Sequence, residues 1–448
     1  MTNAEKHYIK MTETPIPSLI MRLGLPTTVS MLITNIYNLA DTYFVGTLGE
    51  SAQAATGILF TLQCIIQAIA FMLGHGSGSF VSRSLASRDN DKASEYVSTA
   101  FFSGAIMGLV LMLSGFAFMT PLMKLLGSTD TILPYARDYG MWVLIACPFM
   151  VCSLVLNNNL RYEGIAMYAM IGLTSGGILN IFGDYLLIRV YGLGVYGAGL
   201  ATAVSQLVSF TILLIMYFRR AQSKIRLSYM SRQFEVYISI LKVGFPSFIR
   251  QGLSSVSNGL LNNFTKPFGD AAIAAMSVVS RFARFVMCVG LGIGQGFQPV
   301  SAFNYQAGKY SRVKKGLLFT MGFSFCFVAA LAATSFAFAT EIVSSFNKSE
   351  EVIAIGTKAL HFTMIGMLFF PISTPVTMLY QSIGEAGKAS FLSILRAGAF
   401  LIPMILILIP ALGLLGVQIV QPAADVLTGL VSIPFVLSFI RHLPEDKV

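Results

Sequence analysis

Apolar stretches long enough to cross a bilayer recur along almost the whole chain, and no other feature constrains the fold so tightly. A crossing helix takes about 20 apolar residues, because backbone N–H and C=O groups find no water in hydrocarbon and must bond within the segment. About twelve such stretches can be marked, at 18–43, 54–81, 95–119, 137–160, 166–190, 196–218, 240–264, 274–302, 315–339, 357–381, 389–411 and 417–440. Hydrophobic side chains make up 55% of the 448 residues and charged ones 11%, well below the roughly 25% of a soluble domain. The expected fold class is an all-α polytopic membrane protein. Met1 to Pro15 is polar, so no cleavable signal peptide is expected and the first apolar segment serves as the targeting signal.

The net charge of +10 would suit nucleic acid, but the basic residues sit in short loops between apolar segments. Lys6, Lys10 and Arg22 lie at the first end. Arg83, Arg88 and Lys92 follow the second segment, Arg219 to Lys242 the sixth, Lys309 to Lys315 the eighth, and Arg441 and Lys447 the last. This alternation is the positive-inside pattern, so both termini are expected in the cytoplasm and nucleic acid is not expected as a partner. The five cysteines are scattered through apolar runs and the four histidines form no cluster, so no metal site is expected. Gly192-Leu-Gly-Val-Tyr-Gly197 matches a dinucleotide fingerprint only in letters, since no strand precedes it, and no Walker lysine motif occurs. Neither a cofactor nor an enzymatic constellation is expected.

The chain repeats itself. Arg22-Leu-Gly24-Leu-Pro26 aligns with Lys242-Val-Gly244-Phe-Pro246 at an offset of 220. The same offset pairs Asn38 with Asn258, Gly74-His-Gly76 with Gly294-Gln-Gly296, and Gly164 with Gly384; it slips by one at Gly194 and Gly197, which pair with Gly413 and Gly416. Two six-helix halves follow, residues 1–220 and 242–448, joined by a basic cytoplasmic linker at 221–241. Six is even, so both halves enter from the same side, giving two parallel-repeat bundles (6+6).

Acids break the symmetry. Asp41 lies in an apolar run, with Thr34, Tyr37 and Asn38 on the same helical face. Asn180-Ile-Phe-Gly-Asp184 repeats the theme, an Asn four residues before an Asp. A carboxylate at bilayer depth costs roughly 2.5–3.5 kcal/mol on insertion scales, so it faces the protein interior and serves a function. In the second half Leu261 and Met404 stand opposite Asp41 and Asp184. The two acids are therefore read as a buried cation-responsive pair. Proton uptake and Na+ held by carboxylate, Asn and Thr oxygens both suit it. Asn157, the deepest of Asn157-Asn158-Asn159, is a further candidate. Pro26 and Pro246 mark either a helix bend or a first-turn placement. Arg281 and Arg284 share a face, as an interfacial anchor or a site for an anionic group, and Asp425 can pair with one of them. The 22 Met and 35 Phe are packing or lipid-facing residues, with a share in a cleft suited to varied apolar ligands.

Gly24-Leu-Pro26, Ala40-Asp41-Thr-Tyr-Phe-Val-Gly46, Gly164 and Asn180-Ile-Phe-Gly-Asp184, within a 6+6 repeat, resemble the multidrug and toxic compound extrusion (MATE) family. The absence of acids from Ile249–Ser257 and Phe362–Gln381 favours its DinF-like branch. The resemblance implies two lobes around a cleft and a secondary antiporter of the inner membrane, able to work as a monomer. It would export organic cations or amphiphilic drugs in exchange for H+ or Na+ by rocking between two states. The resemblance places coupling at Tyr37, Asp41, Asn157, Asn180, Asp184 and Thr202, and adds Tyr139. Asn38, Tyr139 and Asn258 are the expected cleft residues. The rival is a flippase for lipid or oligosaccharide-lipid of the same superfamily, which would need an anionic-headgroup site.

Overall fold

A computed structural model describes residues 3–446, and among them the regular structure is entirely helical. Twelve long helices follow in order: α1 (Ile16–Gly46), α2 (Glu50–Ala86), α3 (Asn90–Ala117), α4 (Leu133–Tyr162), α5 (Ala166–Val190), α6 (Gly194–Arg220), α7 (Phe234–Thr265), α8 (Asp270–Gln306), α9 (Tyr310–Ala337), α10 (Glu350–Met367, continued by Phe370–Ile383), α11 (Ala386–Leu412) and α12 (Leu414–Arg441). Each corresponds to one expected span; most ends run a few residues beyond it, while α3 and α9 stop two residues short at their C-terminal ends and α5 coincides with it. Short helices precede α1 (Asn3–Glu13), follow α3 (Met119–Leu125) and follow α9 (Ala339–Phe346).

Ten of these helices are long and apolar enough to cross a membrane, and α10 makes eleven when its two pieces count as one span. Those pieces meet at 45°. Pro371 opens the second piece and has no N–H for the preceding turn, which accounts for the break. The remaining helix, α7, is 32 residues long but polar through its middle, where Arg250, Gln251, Ser254, Ser255, Ser257, Asn258 and Asn262 interrupt the apolar run.

The chain forms two compact units. One consists of Met1–Lys10 and Leu25–Gln251, the other of Met11–Gly24 and Gly252–Val448. The boundaries therefore fall inside α1 and α7, not at 220 and 242, where loop composition places them. Glycines at repeat-related positions explain why. In the first unit a Cβ on Gly244 of α7 would lie 1.8 Å from the Met72 carbonyl oxygen, and one on Gly76 of α2 would lie 2.1 Å from the Ile240 carbonyl oxygen. In the second unit a Cβ on Gly24 of α1 would meet Ile293 at 3.0 Å, and one on Gly296 of α8 would lie 2.4 Å from the Gly24 nitrogen. Each crossing is backbone on backbone, so the start of α7 packs with the first unit and the start of α1 with the second. Gln298 and Gln381 bond at 3.2 Å and Asn304 bonds the Met11 carbonyl at 3.1 Å, tying the second unit together nearby.

Residues 221–233 are also not a free linker. Lys224 N donates to Ser94 Oγ at 2.8 Å, Arg226 N to Ser98 Oγ at 3.2 Å and Ser231 N to Thr99 Oγ1 at 2.9 Å. Hydroxyls of α3 thus satisfy backbone groups that no helix or sheet serves. Glu163, buried between α4 and α5, accepts from Gln222 N at 2.6 Å, Tyr217 Oη at 3.1 Å and the Ser223 hydroxyl. Pro26 and Pro246 both lie well inside their helices, which excludes the first-turn placement. Each leaves the carbonyl four residues earlier without its helical donor.

Candidate functional site

The first unit encloses a small polar cavity in the middle of its helices. Tyr37, Asn38 and Asp41 reach it from α1, Gln63 from α2, Tyr139 and Met150 from α4, Asn180 from α5, and Thr202 and Gln206 from α6. Helical spacing supplies most of this set. Tyr37, Asn38 and Asp41 share a face at i, i+1 and i+4, and Thr202 and Gln206 are one turn apart.

A one-way chain of hydrogen bonds runs through it. Asn180 Nδ2 donates to Thr202 Oγ1 at 3.3 Å, and Tyr139 Oη donates to Asp41 Oδ2 at 2.8 Å. Thr202 Oγ1 and Tyr139 Oη lie 3.5 Å apart, and the hydroxyl proton left to Thr202 points along this link. Every donor in the chain is directed toward Asp41. Four buried oxygens then have no donor among the described residues: Asp41 Oδ1, Asn180 Oδ1 and both carboxylate oxygens of Asp184. Asp184 is fully buried one turn beyond Asn180, at the last α-helical residue before the π-helical turn Tyr185–Val190. Asp184 is not among the residues that line the cavity. Arg189, on that π turn, is exposed and does not serve as its counter-ion. Two acids and an amide in apolar helices thus present four acceptor oxygens that no donor meets, which is the chemistry that receives a proton or a hard cation.

The internal repeat provides a built-in comparison. Positions equivalent to Asp41, Gln63, Tyr139, Asn180 and Asp184 are Leu261, Ala283, Ala359, Phe400 and Met404. All five belong to, or pack against, one hydrophobic cluster in the second unit. The same helical scaffold thus closes over apolar side chains in one half and over a polar site in the other, so folding alone does not require the acids. At the position of Gln206 the second unit has Asp425, whose carboxylate is met by Arg396 Nε at 2.5 Å. The partner of Asp425 is therefore Arg396 and not Arg281 or Arg284, both of which are exposed. Arg396 lies within the π-helical stretch Leu395–Leu401 of α11.

Two expected site residues lie elsewhere. Asn157 Nδ2 donates to the Ala169 carbonyl at 3.0 Å, about 16 Å along α5 from Asn180. It fastens α4 to α5 and does not line the cavity. Its neighbours also brace helices: Asn158 bonds the Leu154 carbonyl and Asn159 bonds Ser77. Asn258 is exposed on α7 in the second unit. Gln63 and Gln206 line the cavity without standing out in the sequence, although the i, i+4 spacing from Thr202 marks Gln206.

The fold and this site describe a multi-pass membrane transporter: a doubled helical bundle with a buried polar site in one half, whose two acids have apolar counterparts in the other. A model of the MatE family matches residues 26–186 and again 246–415, the two copies beginning at the paired prolines, and the chain belongs to the MatE family. It is 27% identical to the multidrug export protein MepA of Staphylococcus saprophyticus, over 96% of this chain and 95% of that protein. A crystal structure of MATE in complex with MaL6 superimposes with a TM-score of 0.91 at 25% identity, covering 98% of this chain and 99% of the other. A MOP superfamily transporter from Pyrococcus furiosus, described as having a binding pocket of reversed polarity, superimposes with a TM-score of 0.90 at 25% identity, over 97% and 98% of the two chains.

Proposed function

We propose that the protein is a secondary antiporter that exports organic cations and amphiphilic drugs, with Asp41 and Asp184 as the coupling site. The observation that carries this reading is the set of four buried acceptor oxygens without donors, in and beside a cavity where the second half has Leu261 and Met404 in place of the two acids. A proton or Na+ entering the cavity supplies the missing positive charge. Its binding changes the charge of α1 and α5 together and so biases two states of the transporter, by as much as its affinity differs between them. Tyr139 holds Asp41 in place, with Thr202 and Asn180 behind it in the hydrogen-bond chain and Tyr37 lining the cavity beside it. The multidrug relatives support a drug substrate. The basic loops support an inner-membrane protein with both termini in the cytoplasm, and a single chain holding both halves can act as a monomer.

The flippase reading needs a cationic site for an anionic headgroup. Arg396 is already paired with Asp425, which weakens that reading; Arg281 and Arg284 are exposed and are its remaining candidates. Efflux of a fluorescent organic cation from proteoliposomes, driven by an imposed proton gradient and then by a sodium gradient, tests the proposal. Wild type should respond to one of them, and Asp41→Asn and Asp184→Asn should respond to neither. Export driven equally well in both variants would remove the acids from the mechanism.

A further inference from the structure

A second cluster of polar groups lies far from this cavity, in the second unit, at the junction of α9, the short helix Ala339–Phe346 and the start of α10. A groove of about 450 Å³ opens there, with Thr340 on one wall and Glu350, Ile353, Thr357, Lys358 and His361 along one face of α10. It sits at the end of α9 opposite Ser311, where Asp446 bonds both the Ser311 N–H and its hydroxyl.

The polar groups of this groove lack protein partners. Thr357 Oγ1 and His361 Nε2 are buried without a hydrogen bond. Neither Glu350 nor Lys358 belongs to an ion pair among the described residues. The first half shows what a satisfied version looks like: Asp130, the equivalent of Glu350, is held by Lys124 at 3.1 Å. The equivalent of Lys124 is Ser344, so the second half has the acid without that partner. The His361 ring stacks on Phe336 with centroids 4.6 Å apart, which holds the imidazole against the wall. Phe336, Phe338 and Phe346, at the end of α9 and on the short helix beside the groove, are all exposed.

We propose that this groove binds the headgroup of a zwitterionic amino-phospholipid. Glu350 and Lys358 are two turns apart on one helix face, about 12 Å between Cα atoms. Lys358 extends toward the helix N-terminus, as long side chains on a helix do, and this shortens the gap between its ammonium and the Glu350 carboxylate. A phosphate takes the Lys358 ammonium. The lipid's own ammonium takes Glu350. An anionic headgroup leaves Glu350 unpaired and repelling, and a choline headgroup brings a quaternary ammonium that cannot donate a hydrogen bond to it.

Native mass spectrometry of the purified transporter, titrated separately with dioleoyl phosphatidylethanolamine, phosphatidylglycerol and phosphatidylcholine, tests this. Wild type should retain the ethanolamine lipid best. Lys358→Met should lower its retention roughly fivefold, the scale of one partly exposed charge pair, while Lys358→Arg keeps it. Glu350→Gln should lower ethanolamine retention to the level of choline. Asp130→Asn, at the equivalent site of the first half, should change nothing. Equal retention of all three lipids by wild type, a preference for glycerol, or unchanged retention in Lys358→Met would overturn the proposal.

Discussion

At the scale of single residues, the cavity is defined by what its oxygens lack. Tyr139 donates to one oxygen of Asp41, the other has no donor, and Asp184 has none on either. Tyr139→Phe removes one hydrogen bond to a charged group, worth about 1.5–3 kcal/mol, and leaves the ring in place. Ion-driven drug export should then fall by roughly tenfold or more, with the protein still folded and in the membrane. Initial efflux rates normalised to purified protein measure this, and an undiminished rate would show that the Tyr139–Asp41 bond does not matter to coupling. The two acids are legible in the sequence, because a charge in an apolar run stands out and the repeat shows it missing from the other half. Tyr139 enters through family likeness, since a tyrosine near a helix start has many ordinary explanations. Asn157 misleads, because depth within a helix does not reveal azimuth: its side chain turns to the Ala169 carbonyl. Glutamines such as Gln63 carry no charge to draw notice.

At the scale of elements, the helix crossings and the loop fastening make separate predictions. Gly76→Ala would push a methyl onto the Ile240 carbonyl, so it should lower the thermal midpoint of the purified protein and reduce its yield. A methyl group added at Gly252 would find no atom within 4 Å, and Gly252→Ala should be neutral or raise the midpoint slightly, since alanine is the better helix former. Similar losses in both would mean that the crossing is not close-packed. Glu163 makes the second case. Burial holds its carboxyl above the usual glutamate range, although Ser223, Gln222 and Tyr217 donate to it and pull the other way. A raised value in the folded state means that the folded form binds the proton more tightly. Its contribution to stability is then greatest at low pH and declines as pH rises through the raised value. Hydrogen exchange of residues 221–231 should accordingly quicken over that range more than intrinsic chemistry requires, and Glu163→Gln should remove the excess. The apolar helices are legible to within a few residues of each end. The fastening of 221–231 to α3 is not, because serines on a helix and a basic loop give no sign of meeting before the fold brings them together.

At the scale of the whole chain, duplication explains the architecture and divergence explains the site. The repeat is legible as paired Gly-Leu-Pro26 and Gly-Phe-Pro246, and the family match falls twice along the same division. Where the compact units divide is not legible: loop charge marks the ends of helices, whereas close backbone crossings at Gly24, Gly76, Gly244 and Gly296 decide which unit a half-helix joins. Asp425 is visible as an odd acid, but its partner depends on α11 and α12 lying side by side, which spacing along the chain cannot tell.

The central claim is that Asp41 and Asp184 bind the ion that a drug displaces. Linkage requires each ligand to weaken the other by the same factor. The most direct measurement is therefore ion release from detergent-solubilised protein on addition of a tight-binding organic cation, followed with a pH indicator in weak buffer and with radioactive sodium in parallel. Wild type should release one of the two ions in proportion to drug bound. Asp41→Asn and Asp184→Asn should still bind drug but release neither. Release of the same amount from both variants would contradict the account and place coupling outside this cavity.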